Sequence, residues 1–182
     1  MTRALLSLGS NLGDRYAHLA AAVDGLAPWL LVVSGVYQTP PWGDPDQPDY
    51  FNAVALVEDA TAGAADWLAR AQALEEKAGR TRDPRRRYAP RTLDVDVIAV
   101  WTADGEPIIA TDPELTLPHP RAQLRAFVLR PWIDIAPYAA LPGYGWVNDL
   151  LRTPAVEADL PDLRPRPELD LTPGARDPEE PA

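Results

Sequence analysis

Apolar residues recur along this chain in two rhythms. Runs and alternations mark strands, and repeats three and four residues apart mark helices. Arg3–Leu8 is an apolar run ending at Gly9 and predicts a strand. Leu19, Val23 and Leu26 fall on one side of a helix over Tyr16–Leu26, with Asp14 placed as its N-cap. Leu30–Tyr37, rich in β-branched residues, and Tyr50–Val57 predict further strands. Between them Thr39–Asp49, rich in proline, glycine and aspartate, specifies a loop. Trp67, Leu68, Ala71 and Leu74 mark the apolar side of a helix over Ala64–Ala78, which Gly79 stops. Thr92–Trp101 predicts a strand, turned at Asp104-Gly105 into a second, Pro107–Ala110, as a hairpin. Phe127–Ile135 and Trp146–Leu151 predict short helices. This order of elements predicts a mainly antiparallel sheet with packed helices.

The pattern stops near residue 152. Thr153–Ala182 holds seven prolines, and its eight acids outnumber its three arginines. It carries no aromatic residue and no apolar period. Such a segment buries too little surface to offset the entropy of ordering it. The expectation is one domain over residues 1–152 and a disordered or loosely docked tail over 153–182.

Composition narrows the class. Apolar residues make up 46% of the 182, enough for a core. The absence of cysteine excludes disulfides and thiolate metal sites. No run approaches the roughly 18 apolar residues that span a bilayer, and Met1–Leu6 reads as a strand, not a leader. A cytoplasmic protein without membrane contact is expected. The net charge of -10 argues against a nucleic-acid partner. Yet six of the 17 basic residues crowd between Arg80 and Arg91.

Just after that cluster comes Arg91-Thr92-Leu93-Asp94-Val95-Asp96-Val97-Ile98. Side chains alternate along a strand, so Leu93, Val95 and Val97 point into a core while Asp94 and Asp96 share the other face. Adjacent carboxylates repel unless something compensates them. Two hard oxygen ligands on a rigid strand suit Mg²⁺ with phosphate, and two ions about 3.5–4 Å apart clamp attacking and leaving oxygens. The other reading of Asp-x-Asp is a solvated strand face. The basic loop, Arg80, Arg82, Arg85, Arg86, Arg87 and Arg91, repels itself when empty and matches a polyphosphate through forked donors. Its other reading is a surface patch for a different polyanion. The loop from Arg80 to Pro90 is expected to be mobile without ligand and ordered with it.

Standard phosphate loops are absent: Gly9-Ser10-Asn11-Leu12-Gly13 lacks the lysine and reads as a tight strand-to-helix turn. His119 is fixed by prolines on both sides in Leu117-Pro118-His119-Pro120, while His18 sits in a predicted helix. Tyr50 and Asn52 share a strand face, where a ring and an amide can stack on a flat heterocycle and read its edge.

Together these stretches resemble the 6-hydroxymethyl-7,8-dihydropterin pyrophosphokinases. Gly9-Ser10-Asn11-Leu12, Tyr37-Gln38-Thr39-Pro40-Pro41, Asp46-Gln47-Pro48-Asp49-Tyr50-Phe51-Asn52, Pro90-Arg91-Thr92-Leu93-Asp94-Val95-Asp96, Leu117-Pro118-His119-Pro120 and Arg125-Ala126-Phe127-Val128-Leu129 stand in that family's order. The resemblance covers about residues 3–151. It implies an α+β fold of the ferredoxin-like α/β plait type, with helices on both faces of a mainly antiparallel sheet. It implies transfer of pyrophosphate from ATP to the pterin alcohol by a cytoplasmic monomer. By the match, Asp94 and Asp96 bind two Mg²⁺, and with Arg82 and Arg91 form the catalytic set. Gln72, Glu75, Arg80, Arg82, Tyr88, Arg91, Ile98, His119 and Arg125 contact ATP. Thr39, Pro40, Trp42, Tyr50, Asn52, Tyr88 and Phe127 form the pterin pocket. Departures from the pattern are Ala89 in place of a glycine, a basic loop one residue longer, and Trp42 at a place often aliphatic. A non-catalytic nucleotide or pterin module and a polyanion-binding protein are the alternatives from other classes.

Overall fold

A computed structural model of the chain describes residues 1–42, 46–80 and 90–174. Its frame is an antiparallel sheet built on β1 (Thr2–Ser10), which pairs on one side with β4 (Tyr50–Asp59) and on the other with β5 (Asp94–Thr102). β2 (Leu30–Val33) and β3 (Val36–Thr39) both pair with β4. The single strand expected over Leu30–Tyr37 is thus broken in two. The cause is buried Ser34, whose N–H donates to the Val54 carbonyl while its hydroxyl accepts from Val54 N–H, both at 2.9 Å.

Three main helices cover this sheet. α1 (Arg15–Leu26) starts where the Asp14 carboxylate accepts from Ala17 N–H at 2.9 Å, as its sequence predicts. α2 (Ala64–Lys77) ends at Gly79, whose φ of +69° suits glycine. α3 (Ala126–Ile135) follows a short turn at Ala122–Leu124. The hairpin expected after β5 closes only at its mouth. Trp101 bridges Pro107 and Ile108 N–H donates to Val100, but Ala110–Thr111 turns away to pair with Thr116–Leu117.

Alternation along β1 separates two buried clusters. Ala4, Leu6 and Leu8 pack with Leu19, Val23 and Leu26 of α1 and with Trp67 and Ala71 of α2. Leu5 faces the other way and packs with Val54, Ile98 and the α3 residues Val128, Leu129 and Trp132. One irregularity matters: Leu5 pairs with Ala99 while Leu6 pairs with Val97, so Ile98 is an extra residue in β5. Beyond this bulge Asp96 sits opposite Ser7 and Asp94 opposite Gly9.

Of the C-terminal segment, expected to be disordered or loosely docked, residues 153–174 are described and 175–182 lie outside the described residues. Through residue 174 the segment folds onto the body. Val156, fully buried, joins the α3 cluster. Arg164–Arg166 adds a strand to the free edge of β3. Leu171, 2% exposed, then enters the α1 cluster with Leu169 beside it, and the Tyr16 hydroxyl donates to the Asp170 carbonyl at 2.5 Å. A few leucines and a valine therefore anchor the segment on both faces, and the sheet edge satisfies its backbone. Among the described residues no helix is long and apolar enough to cross a membrane. The basic loop is expected over Arg80–Pro90, and its residues 81–89 lie outside the described residues.

Candidate active site

Beyond the bulge, the face of the sheet that carries Leu5 changes character. Ser7 and Gly9 of β1, Asn52 of β4 and Asp94 and Asp96 of β5 face a cleft instead of a helix. Its other walls are Thr39, Pro40, Pro41 and Trp42 after β3, and Arg121, Arg125 and Phe127 at the start of α3. Gln47, Tyr50 and Arg91 complete it. A side chain at position 9 would bring its Cβ within 3.0 Å of Asn52 Oδ1 and 3.5 Å of Tyr50 Cδ1, so glycine keeps the floor open.

The two carboxylates share this face, as alternation predicts, and arginines compensate them. Asp94 accepts from Arg91 at 2.6 Å and pairs with Arg80 at 2.8 Å. Asp96 accepts from Arg125 at 2.6 Å. Burial acts to raise the Asp96 pKa, but the charge and hydrogen bond of Arg125, with the charge of Arg91, outweigh it and hold the carboxyl below its usual range. For Arg91, burial acts downward and Asp94 and Tyr50 outweigh it, so its pKa is raised. Both groups are therefore charged at neutral pH. Burial lowers the His119 pKa, with Arg125 and Arg121 adding to it and Asp96 opposing. The neutral ring accepts the Arg121 N–H on Nδ1 at 3.2 Å and brings Nε2 to 3.9 Å from Asp96.

The opposite wall is neutral and aromatic. Asn52 Nδ2 donates to Thr39 Oγ1 at 2.7 Å, aligning an amide and a hydroxyl on one side of the cleft. The Arg125 guanidinium lies 5.9 Å from the Trp42 ring and 5.6 Å from the Phe127 ring, and Arg121 lies 5.4 Å from Trp42. Arg125 Nε is buried with no hydrogen-bond partner among the described residues. A cleft with paired acids and arginines at one end and stacking rings with an amide at the other suits a flat polar heterocycle and a polyanion side by side.

A family model described as 7,8-dihydro-6-hydroxymethylpterin-pyrophosphokinase (HPPK) matches residues 5–137. The chain belongs to this family. Among curated relatives, the 2-amino-4-hydroxy-6-hydroxymethyldihydropteridine pyrophosphokinase of Mycobacterium tuberculosis is 45% identical over 178 residues, 94% of each chain. That of Mycobacterium leprae is 48% identical, covering 74% of this chain and 72% of its own. That of Pseudomonas aeruginosa is 38% identical, covering 82% and 90%. Among solved structures, an HPPK-DHPS in complex with substrates aligns with a TM-score of 0.59 at 10% identity, over 82% of this chain and 42% of that one. An HPPK-DHPS from Plasmodium falciparum aligns with a TM-score of 0.57 at 11% identity, over 82% and 44%. The chain spans less than half the length of those two solved chains, and the likeness carries the fold.

Set against this pyrophosphokinase family, the residues singled out in the sequence divide into groups. Thr39, Pro40, Trp42, Tyr50, Asn52, Arg91, Asp94, Asp96, Arg125 and Phe127 line the cleft together. His119 stands behind Asp96, its N–H bonded to the Ile98 carbonyl at 2.7 Å. Ile98 offers only that main chain, because its side chain is fully buried in the α3 cluster. Glu75 is buried too. Its carboxylate accepts the Val95 N–H at 2.9 Å and the Arg80 guanidinium, so it ties α2 to β5 instead of facing the cleft. Gln72 is exposed on α2, away from the cleft lining. Arg82 and Tyr88 lie outside the described residues.

Sequence reasoning missed Ser7 and Arg121 in the cleft lining and Asn11 behind it, while Gly9, Pro41 and Gln47 entered only as parts of motifs. Ser7 was visible as the polar residue between Leu6 and Leu8, on the same side as Gly9. Asn11, read only as part of a turn, exchanges hydrogen bonds with the Arg91 backbone at 2.8 and 3.1 Å and donates to Gln47 at 3.0 Å. It thereby fixes the arginine that grips Asp94 and the segment that carries Gln47. Arg121 gave no signal beyond its charge.

Proposed function

We infer that this cleft is where the chain transfers pyrophosphate from ATP to 6-hydroxymethyl-7,8-dihydropterin, giving AMP and the pterin diphosphate for folate biosynthesis. The observation that carries the reading is the meeting, in one cleft, of Asp94 and Asp96 with the Asn52–Thr39 pair and the Trp42 and Phe127 rings. The rings and the amide hold the pterin and present its primary hydroxyl toward the acids. Arg91 and Arg125, charged and partly withdrawn from water, neutralise the triphosphate as its β-phosphorus is attacked. The new bond joins the alcohol oxygen to the β-phosphorus, and the bond to the bridging oxygen breaks so that AMP leaves. Positioning and charge supply the catalysis, and no nucleophilic side chain is needed.

Two Mg²⁺ ions belong to this reading. The donor set fits them: Asp94 and Asp96 present hard carboxylate oxygens on one strand face and remain partly open to the cleft, at 21% and 30% side-chain exposure. When bound there, such ions neutralise phosphate charge and favour loss of the alcohol proton. Arg91 and Arg125, which pair with these acids, would then be able to face the nucleotide. Arg80, Arg82, His119, Gln72, Glu75, Ile98 and Tyr88 are assigned to the ATP side by family resemblance, Glu75 by holding β5 in register and Ile98 by its main chain. A ferredoxin-like plait with helices on both faces is the architecture that the two buried clusters support. A monomer in the cytoplasm, where ATP is abundant, completes the proposal.

The test is AMP formation from ATP with and without the pterin alcohol. AMP release should require the pterin and Mg²⁺ and should fall by at least about a thousand-fold in Asp94→Asn and in Asp96→Asn. These variants gain no thermal stability, because each acid already has an arginine partner to lose. Pterin-independent AMP release, or near-normal turnover in either variant, overturns the reading.

A further inference from the structure

The C-terminal strand brings a cation to the back of the pterin wall. Arg164, Pro165 and Arg166 pair with Gln38, Tyr37 and Val36 of β3. From this edge Arg166 Nη1 donates to Gln38 Oε1 at 2.6 Å. The other end of the same amide, Gln38 Nε2, donates to Asp49 Oδ2 at 2.7 Å. Asp49 precedes Tyr50 and follows Gln47 and Pro48, so it lies inside the segment that forms one rim of the cleft. Arg15 of α1 closes the arrangement by donating to the Asp49 carbonyl at 2.7 Å.

Phe51 joins the same construction. Its ring, 6% exposed, lies under two guanidiniums, with Arg15 3.9 Å and Arg166 5.2 Å from its centroid. Alternation puts Phe51 on the α1 face, while its neighbours Tyr50 and Asn52 face the cleft. A residue outside the region matched by the family model thus fixes the strand and loop whose opposite side carries the pterin contacts. The contact is charge-assisted, and Glu168 holds the guanidinium in place by accepting from Arg166 Nε at 2.5 Å.

We propose that Arg166 is a positioning residue for the pterin half of the cleft, acting through Gln38 and Asp49 on the segment that carries Gln47 and Tyr50. The proposal rests on the reading of the cleft as a pterin and ATP site. It favours one substrate over the other, because Asp49 borders Tyr50 and Gln47 directly, whereas Asp94 is reached only at the far end of a longer path through Gln47, Asn11 and Arg91.

The experiment compares the full-length wild type with Arg166→Ala, Arg166→Lys, Asp49→Ala and the double variant Arg166→Ala with Asp49→Ala. The dissociation constant for the pterin alcohol, read from quenching of tryptophan fluorescence, is measured beside KM for each substrate and kcat. Arg166→Ala should raise the pterin constants at least about three-fold and leave KM for ATP and kcat within about two-fold. Arg166→Lys, which keeps a charged donor for Gln38, should recover part of the loss. The double variant should be no worse than the poorer single one, as two links of one chain require. Unchanged pterin constants in folded Arg166→Ala overturn the proposal. So do an equal rise for both substrates and full additivity with Asp49→Ala. If the wild type forms no AMP, the reading of the cleft has failed, and if it also leaves the fluorescence unchanged with pterin, the proposal falls with it.

Discussion

The two faces of the sheet are built from the same strands and do opposite work. On one, Ala4, Leu6, Leu8, Phe51, Ala53, Ala55, Val57, Val95 and Val97 form an unbroken apolar surface under α1 and α2. On the other, Leu5, Val54 and Ile98 are covered by α3, but the next positions along each strand are Ser7, Asn52 and Asp96. α3 begins at Ala126, and where it stops the cleft starts. The site is thus the half of a face that no helix covers. The comparison teaches a division of labour within single strands: ahead of the bulge in β5, Val95 and Val97 hold the molecule together while Asp94 and Asp96 hold charge.

The C-terminal segment is the place to break that comparison, because it joins both clusters. Deleting residues 153–182 removes two fully buried anchors, Val156 on the α3 side and Leu171 on the α1 side. At about 1.5–3 kcal/mol for each buried side chain, the loss is roughly 3–6 kcal/mol as an upper bound. For a chain of this size, at roughly 2–4 °C per kcal/mol, that corresponds to a Tm lowered by roughly 6–24 °C at most. The pterin KM should rise with it, since Arg166 goes too. A truncated protein with the wild-type melting temperature would mean that the segment rests on the sheet without supporting it.

A smaller and cleaner effect sharpens the contrast. Trp67 of α2 is fully buried on the apolar face, edge-on to Trp29 at 6.5 Å, with its indole N–H donating to Thr2 Oγ1 at 2.9 Å. Trp67→Ala should cost about 3–5 kcal/mol in denaturant unfolding. The kinetic constants of the molecules that remain folded should not change, because Trp67 packs in the α1 cluster and is not among the described residues that line the cleft. A shift in the pterin KM at temperatures well below melting would show that the faces communicate, and the division of labour would fail.

Strand periodicity made much of this legible beforehand. The alternation of Leu93, Val95 and Val97 with Asp94 and Asp96 placed the acids on the cleft side, and Asp14 and Gly79 marked helix ends that the structure keeps. Local chemistry decided those features, so local reasoning found them. What it missed depends on distant partners. Asn11 matters because Arg91 lies 80 residues away, and Gln38 because Arg166 lies 128 residues away. Glu75 looked like a substrate contact but spends its carboxylate on Val95 and Arg80. The anchoring of the tail was missed for a different reason. Composition counted its prolines and acids, whereas its attachment depends on a handful of apolar residues spaced to reach two faces and one unpaired strand edge.

The smallest effect concerns the join between the cleft wall and α3. Tyr37 of β3, 8% exposed, donates its phenol to Asp134 Oδ2 at 2.5 Å. Burial, then the hydrogen bond and charge of Asp134, push its pKa above the usual phenol range. The folded state therefore holds this proton more tightly than the unfolded chain does. The resulting stability is fully present below the unfolded value of about 10 and is lost as pH rises through the folded pKa. Tyr37→Phe keeps the ring and removes the bond, so it should cost about 1 kcal/mol near neutral pH. Urea unfolding of both proteins from neutrality to above about pH 10 should show that gap narrowing at the alkaline end, where the wild type loses what the variant never had. A gap that stays constant with pH would mean that the phenol's packing, and not its proton on Asp134, ties the cleft wall to the helix. Since Thr39 is two residues further along the same strand, turnover should fall at most about two-fold, which ranks this tie below Arg166 in setting the pterin side.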